Sequence, residues 1–266
     1  MNLDNLSLRE IAKKSRILTL GILNKSKSPH IGSCFSVIDI LVFAFEYKFS
    51  KKKIEDTDVL LSKGHAAAAL YAVLFEFGKI SEEDLASYCN NGSSFYGHVD
   101  NLASPHIPLA TGSLGHGLPY AIGLALSAKL NQDQNHLSIV VMSDGELDEG
   151  TTWESLLIAG HLRLNNLVVI VDRNFLQSFE NTEETLTLEP LREKFESFGW
   201  IVRNVDGHDF ESIQSGFLVK DKPLCLIART TKGNGVSFME NSVPWHYRPP
   251  VGEEYENALI ELEGSE

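Results

Sequence analysis

Apolar positions along this chain follow two rhythms, a helical spacing and short unbroken runs. Leu8, Ile11, Leu18 and Ile22 fall near one face of a helix predicted over residues 6–25. The pattern breaks at Lys27-Ser28-Pro29-His30-Ile31-Gly32-Ser33, which its proline and glycine mark as a loop. Residues 36–47 are almost wholly apolar and read as a helix buried on most sides, serving as core or equally as an oligomer interface. β-rich runs follow at 58–61, 139–142, 167–171, 200–205 and 224–229. Helical segments lie between them at 66–77, from Ser81 onward, at 118–130, after Gly145, at 191–198 and at 210–218. This alternation predicts an α/β fold: a three-layer, doubly wound, mostly parallel sheet flanked by helices. Residues 90–113 carry neither rhythm, and a stretch that long in a compact domain tends to be functional or disordered.

Composition narrows the function classes. The chain has 266 residues, enough for one large α/β domain with a sizeable core. A formal net charge of -13 argues against general affinity for nucleic acid or an acidic membrane. Cys34, Cys89 and Cys225 lie far apart without a CxxC pair, so they read as reduced thiols of a cytoplasmic protein. The N-terminus has no signal-peptide pattern, and no apolar run is long enough to span a bilayer.

The informative chemistry sits where apolar runs stop. Residues 139–142 end at Ser143-Asp144-Gly145, and residues 167–171 end at Asp172-Arg173-Asn174, with a helical segment between. In a parallel sheet both strand ends face one crevice, where ligands of such sheets bind. Asp144 and Asn174 are hard oxygen ligands suited to magnesium or calcium, and magnesium often completes its shell with phosphate. Gly145 lets the backbone approach that phosphate. Asp-Gly and Asn are also ordinary turn residues. Two such stops about thirty residues apart, as a βαβ unit requires, favour a metal-diphosphate site.

The stretch from Asp144 to Asn174, with Asp-Gly-Glu-Leu-x-Glu-Gly, Trp-Glu and Ala-x-x-x-x-Leu-x-Asn-Leu, resembles the thiamine diphosphate motif of transketolases. The likeness extends over nearly the whole chain. Ser62-Lys63-Gly64-His65-Ala66-Ala67 and Thr111-Gly112-Ser113-Leu114-Gly115-His116-Gly117 match family segments, as do the Lys-Gly-x-Gly-Val-Ser from Lys232 and Trp245-His246. The resemblance implies thiamine diphosphate with magnesium or calcium, held by Asp144, Asn174 and the Leu176 carbonyl. It also implies cofactor contacts from His65, Gly112, Ser113, Leu114, His116, Asp144, Gly145, Glu146, Asn174, Lys232 and His246. His30, His65, His98 and His246 are expected to line the substrate side, with pKa values near neutrality. Glu149, which composition alone places as an acid in a first helical turn, matches a glutamate that couples two cofactor sites.

Three places depart from the family pattern: Ser143 for a usual Gly, Glu180-Asn181 for an Asp-Gly, and Tyr247-Arg248 after the Trp-His, where Gly is usual. A full transketolase continues into a pyrimidine-binding domain, whose glutamate activates the cofactor, and a C-terminal domain. Residues 1–266 therefore resemble a single diphosphate-binding domain, the N-terminal subunit of a split transketolase, complete at both ends. Implied with it are a pyrimidine-binding partner, an α2β2 assembly, and two-carbon ketol transfer from a sugar phosphate or related ketose to an aldose. Rival readings are another thiamine-dependent transfer from a 2-oxo acid or specialised sugar, and a non-catalytic half. A zinc cluster lacks close ligand spacing, and no G-x-G-x-x-G follows the first strand as a Rossmann domain would require.

Overall fold

The computed structural model describes residues 5–50, 56–218 and 221–264. Two long helices come first, α1 (Asn5–Ser26) and α2 (Ile31–Phe49), then strand β1 (Asp56–Leu61), α3 (Ala67–Glu76) and the short α4 (Glu82–Ala86). The βαβ core follows as α5 (Gly117–Leu130), β2 (His136–Ser143), α6 (Gly150–His161) and β3 (Leu167–Arg173). The chain closes with α7 (Thr182–Thr185), α8 (Leu191–Ser197), β4 (Ile201–Asp206), α9 (Phe210–Gly216), β5 (Leu224–Arg229) and α10 (Glu253–Gly264). Residues 90–113 hold no helix or strand, as expected.

The strands form one five-stranded sheet in the order β1-β2-β3-β5-β4, and every pair is parallel. Both faces are covered. Val59, Ile139, Val141, Ile170 and Leu226 point into a core shared with α1, α2, α3, α9 and α10. Their neighbours Leu60, Val140, Met142, Val169, Val171 and Ile227 point into a second core with α5, α6 and α8. This period-two split of unbroken apolar runs makes the three layers. The step from β4 back to β5 reverses direction across the sheet. Its helix α9 accordingly packs on the face opposite α6 and α8, as right-handed crossovers require.

Several expectations change in detail. The loop expected at residues 27–33 ends at His30, and Ile31–Ser33 already belong to α2. Gly32 sits inside that helix where a Cβ would press on Lys232 Cγ and the Trp245 carbonyl, at 3.2 and 3.3 Å, so the close approach favours glycine. Every residue of α2 from Ile31 to Phe45 is buried within this one chain, so the helix is core, not interface. Asp148 and Glu149 precede α6 instead of filling its first turn. Asp148 ends a 3-10 turn and Glu149 is the N-cap. α10, whose buried residues are only Ala258 and Leu262, has too faint a stripe to be read beforehand.

Candidate active site

Hydrogen-bond pairing sets the strand ends level: Ser143 of β2 stands beside Asp172 of β3, and Asp172 stands beside Ala228 of β5. The residues just beyond these ends surround a cavity of about 250 Å³. From the β1 side come Lys63 and His65, from β2 Ser143, Asp144 and Gly145, from β3 Asn174, Leu176 and Gln177, and from beyond β5 Lys232. His30 precedes α2 in a left-handed backbone conformation (φ 78°). Its N–H donates to the His246 carbonyl over 2.8 Å, joining the chain's early and late loops at the site.

The irregular stretch is pinned into this wall. Thr111 Oγ1 donates to the Leu61 carbonyl (2.7 Å), and the Thr111 and Val99 N–H groups donate to the Val99 and Gly64 carbonyls. Gly64 is required there, since a Cβ would lie 2.6 Å from the Thr111 backbone. This brings His98, Gly112 and Leu114 to the cavity.

Four imidazoles gather on one side. His30 lies 5.4, 5.7 and 5.1 Å from His65, His98 and His246 between ring centroids, and His65 lies 5.6 Å from His246. Values near neutrality were expected; for His30, His65 and His246 the fold lowers them. Burial, then His98 and the two nearby lysines, bring His30 down to about 4. Burial, then Lys232, brings His246 to about 3, and burial, then Lys63, holds His65 well below its ordinary value. These three rings are therefore neutral at physiological pH.

Lys232 explains one of their tautomers. Its ammonium is 3.0 Å from His246 Nδ1, 3.1 Å from the Leu176 carbonyl and 3.0 Å from the Gln177 carbonyl. An ammonium can only donate, so Nδ1 accepts and the His246 proton sits on Nε2. Burial, then Lys63, lowers Lys232 to about 8, which leaves it mostly charged at neutral pH.

Asp144 is buried and accepts from Gly145 N–H (2.8 Å), Phe175 N–H (2.7 Å) and the Arg173 guanidinium (3.3 Å). Burial, then the Asp172 charge, push its pKa up despite Arg173. Such an under-compensated carboxylate suits a cation. Asn174 Oδ1 accepts the Leu176 N–H (3.1 Å), which folds the two into one turn. A carboxylate, an amide and a carbonyl are hard donors that fit magnesium or calcium. Among the described residues no group of three or more His, Cys, Asp or Glu is placed to hold a metal ion.

Other expected residues lie outside the cavity lining. Glu146 is buried behind it, accepting from Ser62 Oγ, Gly115 N–H (2.8 Å) and Ser143 N–H (3.3 Å), and so ties three site segments together. Ser113 and Glu149 are exposed. His116 is exposed too, its Nδ1 3.0 Å from the Leu114 carbonyl. Arg248 does not line the cavity; it stacks over Trp245 at 4.7 Å and pairs with Glu254.

Sequence reading passed over the pair Lys63–Asp172. Both side chains are fully buried, with Nζ 2.5 Å from Oδ2. Lys63 also donates to the Ser33 carbonyl (3.1 Å), and Asp172 accepts from Ser36 Oγ (2.6 Å) and Thr230 Oγ1. Burial opposes ionisation of Asp172, but Lys63 and these hydroxyls outweigh it and lower its pKa. A lysine just beyond β1 and an aspartate at the end of β3, the two strands that flank β2, were the available signal.

Comparison with known proteins follows the same line. The family model of the transketolase thiamine diphosphate binding domain matches residues 7–260. The chain is 37% identical over 274 residues to an apulose-4-phosphate transketolase subunit of Actinobacillus succinogenes, covering 98% of this chain and 99% of that one. It is 33% identical over 275 residues to the 6-deoxy-6-sulfo-D-fructose transketolase subunit SqwG of a Clostridium species, covering 99% and 98%. The fold matches the crystal structure of the Campylobacter jejuni transketolase with a TM-score of 0.87 at 29% identity, over 99% of this chain and 43% of that one. The chain thus spans under half of that transketolase, and nearly all of the two subunit-length relatives. It belongs to the family of transketolase thiamine diphosphate binding domains.

Proposed function

We propose that this chain is the diphosphate-binding half of a split transketolase, transferring a two-carbon ketol unit from a ketose to an aldose only with a pyrimidine-binding partner. In this reading residues 1–266 form one domain, the assembly is α2β2, and the pair works in the cytoplasm, where three free cysteines suit a reducing compartment. The observation that carries it is the convergence of Asp144, Asn174 and the Leu176 backbone with four histidines on one cavity. Two relatives of matching length bear names of transketolase subunits with different sugars, which supports a specialised sugar substrate. The cavity of about 250 Å³ falls short of the ~300–1,000 Å³ of small-molecule pockets. In this reading the partner adds the remaining wall of the pocket.

Thiamine diphosphate, when bound, supplies the carbanion chemistry of the reaction. The chain's own residues bind and orient. Asp144, Asn174 and the Leu176 carbonyl would hold magnesium or calcium. Gly145, without a side chain, leaves the backbone open to a phosphate, and a Cβ there would crowd Gln177 Cγ at 3.1 Å. Gly112 does the same on the opposite loop, at φ 152° and with His98 against the position of a Cβ. The neutral histidines donate to and accept from substrate hydroxyls, with Nε2–H of His246 the donor fixed by Lys232. Glu146 braces the site from behind, and Glu149 is available to a neighbouring subunit.

Calorimetric titration of thiamine diphosphate with magnesium, into the chain alone and into the co-expressed pair, tests this. Tight metal-dependent binding is expected only in the pair, and Asp144→Ala should weaken it by about a hundredfold or more. Binding that ignores both metal and Asp144 would end the metal-diphosphate reading. A pair that binds the cofactor but transfers only from 2-oxo acids would replace the ketol reading with its nearest rival.

A further inference from the structure

Two loops face each other across the cavity mouth. One is the turn at residues 176–181, closed by the Leu176–Asn181 bridge and by the Gln177 N–H to the Glu180 carbonyl (2.8 Å). The other is the turn Val243–His246, which runs on into Tyr247. Lys232 joins them from below, because its ammonium bonds to carbonyls of the first loop and to His246 of the second. At their outer ends Phe179 and Tyr247 meet, with ring centroids 6.3 Å apart. The Tyr247 ring also stands edge-on to His246 at 4.7 Å and lies 6.1 Å from His30, so its inner side rests on the histidine cluster. These are the loops that hold the departures from the transketolase pattern at Glu180-Asn181 and Tyr247-Arg248.

Two aromatic rings stand out at this mouth. Phe179 is 78% exposed and Tyr247 55% exposed, and Tyr247 also lines the cavity. The lysines that line the cavity are engaged inside, Lys63 with Asp172 and Lys232 with the two loops. Arg248, the next cation along the chain, is turned onto Trp245 and Glu254. An entering substrate thus meets two aromatic faces, with the lysines of the lining engaged inside and the exposed Glu180 beside Phe179 as the nearest acid of that loop.

We propose that Tyr247 and Phe179 form a specificity-determining aromatic wall, which contacts the C–H surface of the sugar beyond its two transferred carbons. This rests on the ketol-transfer reading above. The wall selects among substrates by the length and branching of the carbon skeleton, and any terminal phosphate is left to the partner subunit.

The test uses the reconstituted pair with a ketose phosphate donor and aldose acceptors of three, four and five carbons, each with and without a terminal phosphate. In Tyr247→Gly the relative kcat/KM among skeleton lengths should shift by about tenfold, the scale of a lost aromatic contact. The shift should come through KM more than kcat, and the ratio between phosphorylated and plain forms of one skeleton should stay as in the wild type. Tyr247→Phe should keep the wild-type order. Phe179→Ala, at an exposed loop tip, should move it in the same direction as Tyr247→Gly by a smaller factor, and it decides the matter if Tyr247→Gly fails to assemble. An unchanged order of skeletons, or a changed phosphate ratio instead, overturns the wall. A wild-type pair that transfers from 2-oxo acids but from no ketose, linear or branched, overturns the ketol-transfer reading and the wall with it.

Discussion

Lys232 shows how much a single side chain organises here. It is 1% exposed, and its ammonium reaches the 176–177 carbonyls and His246 together. Lys232→Met should free the His246 tautomer and cut transfer by the pair about a hundredfold, in the range of a lost acid–base group. Imidazole nitrogen shifts in NMR would report the tautomer directly, and Lys232→Arg should restore part of both. At this scale the sequence was legible in part. Asp144 and Asn174 could be picked out because apolar runs stop at them. The histidines needed the family resemblance, since a loop histidine by itself carries no signal. That His30, His65 and His246 are held neutral was not legible, because it depends on burial and on lysines distant in sequence.

Between elements, the pair Lys63–Asp172 is the main tie. It links the end of β1 to the end of β3 across 109 residues of sequence and, through Ser33 and Ser36, to α2. Removing one member of a fully buried ion pair leaves the other uncompensated, so Lys63→Met should cost about 3–5 kcal/mol. Urea unfolding of the chain would read this as a lower midpoint at unchanged slope. A second tie is steric. Gly115 has φ 80°, and a Cβ there would collide with Thr151 Oγ1 and lie 2.8 Å from Glu149 Cβ. Gly115→Ala should therefore destabilise by about 1–3 kcal/mol and displace Glu149 and the start of α6. Limited proteolysis near residue 149 would register the displacement. The β-α-β alternation was readable from periodicity alone. The early start of α2 was not, because Pro29 and Gly32 imitate a loop and the contact that favours Gly32 comes from Lys232, far later in the chain.

For the molecule as a whole, the neutral histidine cluster sets a pH response. Lowered folded-state pKa values mean that the unfolded chain takes up protons first as pH falls. The stability they contribute is complete above about 6.5 and is lost progressively toward about 4 for His30 and about 3 for His246. Scanning calorimetry should show Tm falling through this window, by about 2–4 °C for each kcal/mol lost. His30→Gln should flatten the fall. Among the described residues no helix is long and apolar enough to cross a membrane. The three-layer plan was foreseen from the alternation of elements. The strand order β1-β2-β3-β5-β4 was not, since neither β4 nor β5 carries a mark of which one sits beside β3.

The continuous burial of α2 bears on how the chain is made. Ile31 to Phe45 leave the ribosome early, yet part of what covers them comes later: Asp172, which accepts from Ser36, and Gly233, whose N–H meets the Gly32 carbonyl. At synthesis rates of roughly 5–20 residues per second, this oily segment waits on the order of ten seconds for β3 alone. α1 and α3 shield part of it in that interval, while the side that meets β3, α9 and the 243–246 turn stays open. Ribosome-associated chaperones should therefore crosslink to nascent chains arrested between α2 and β3, and lose that contact once β3 has emerged.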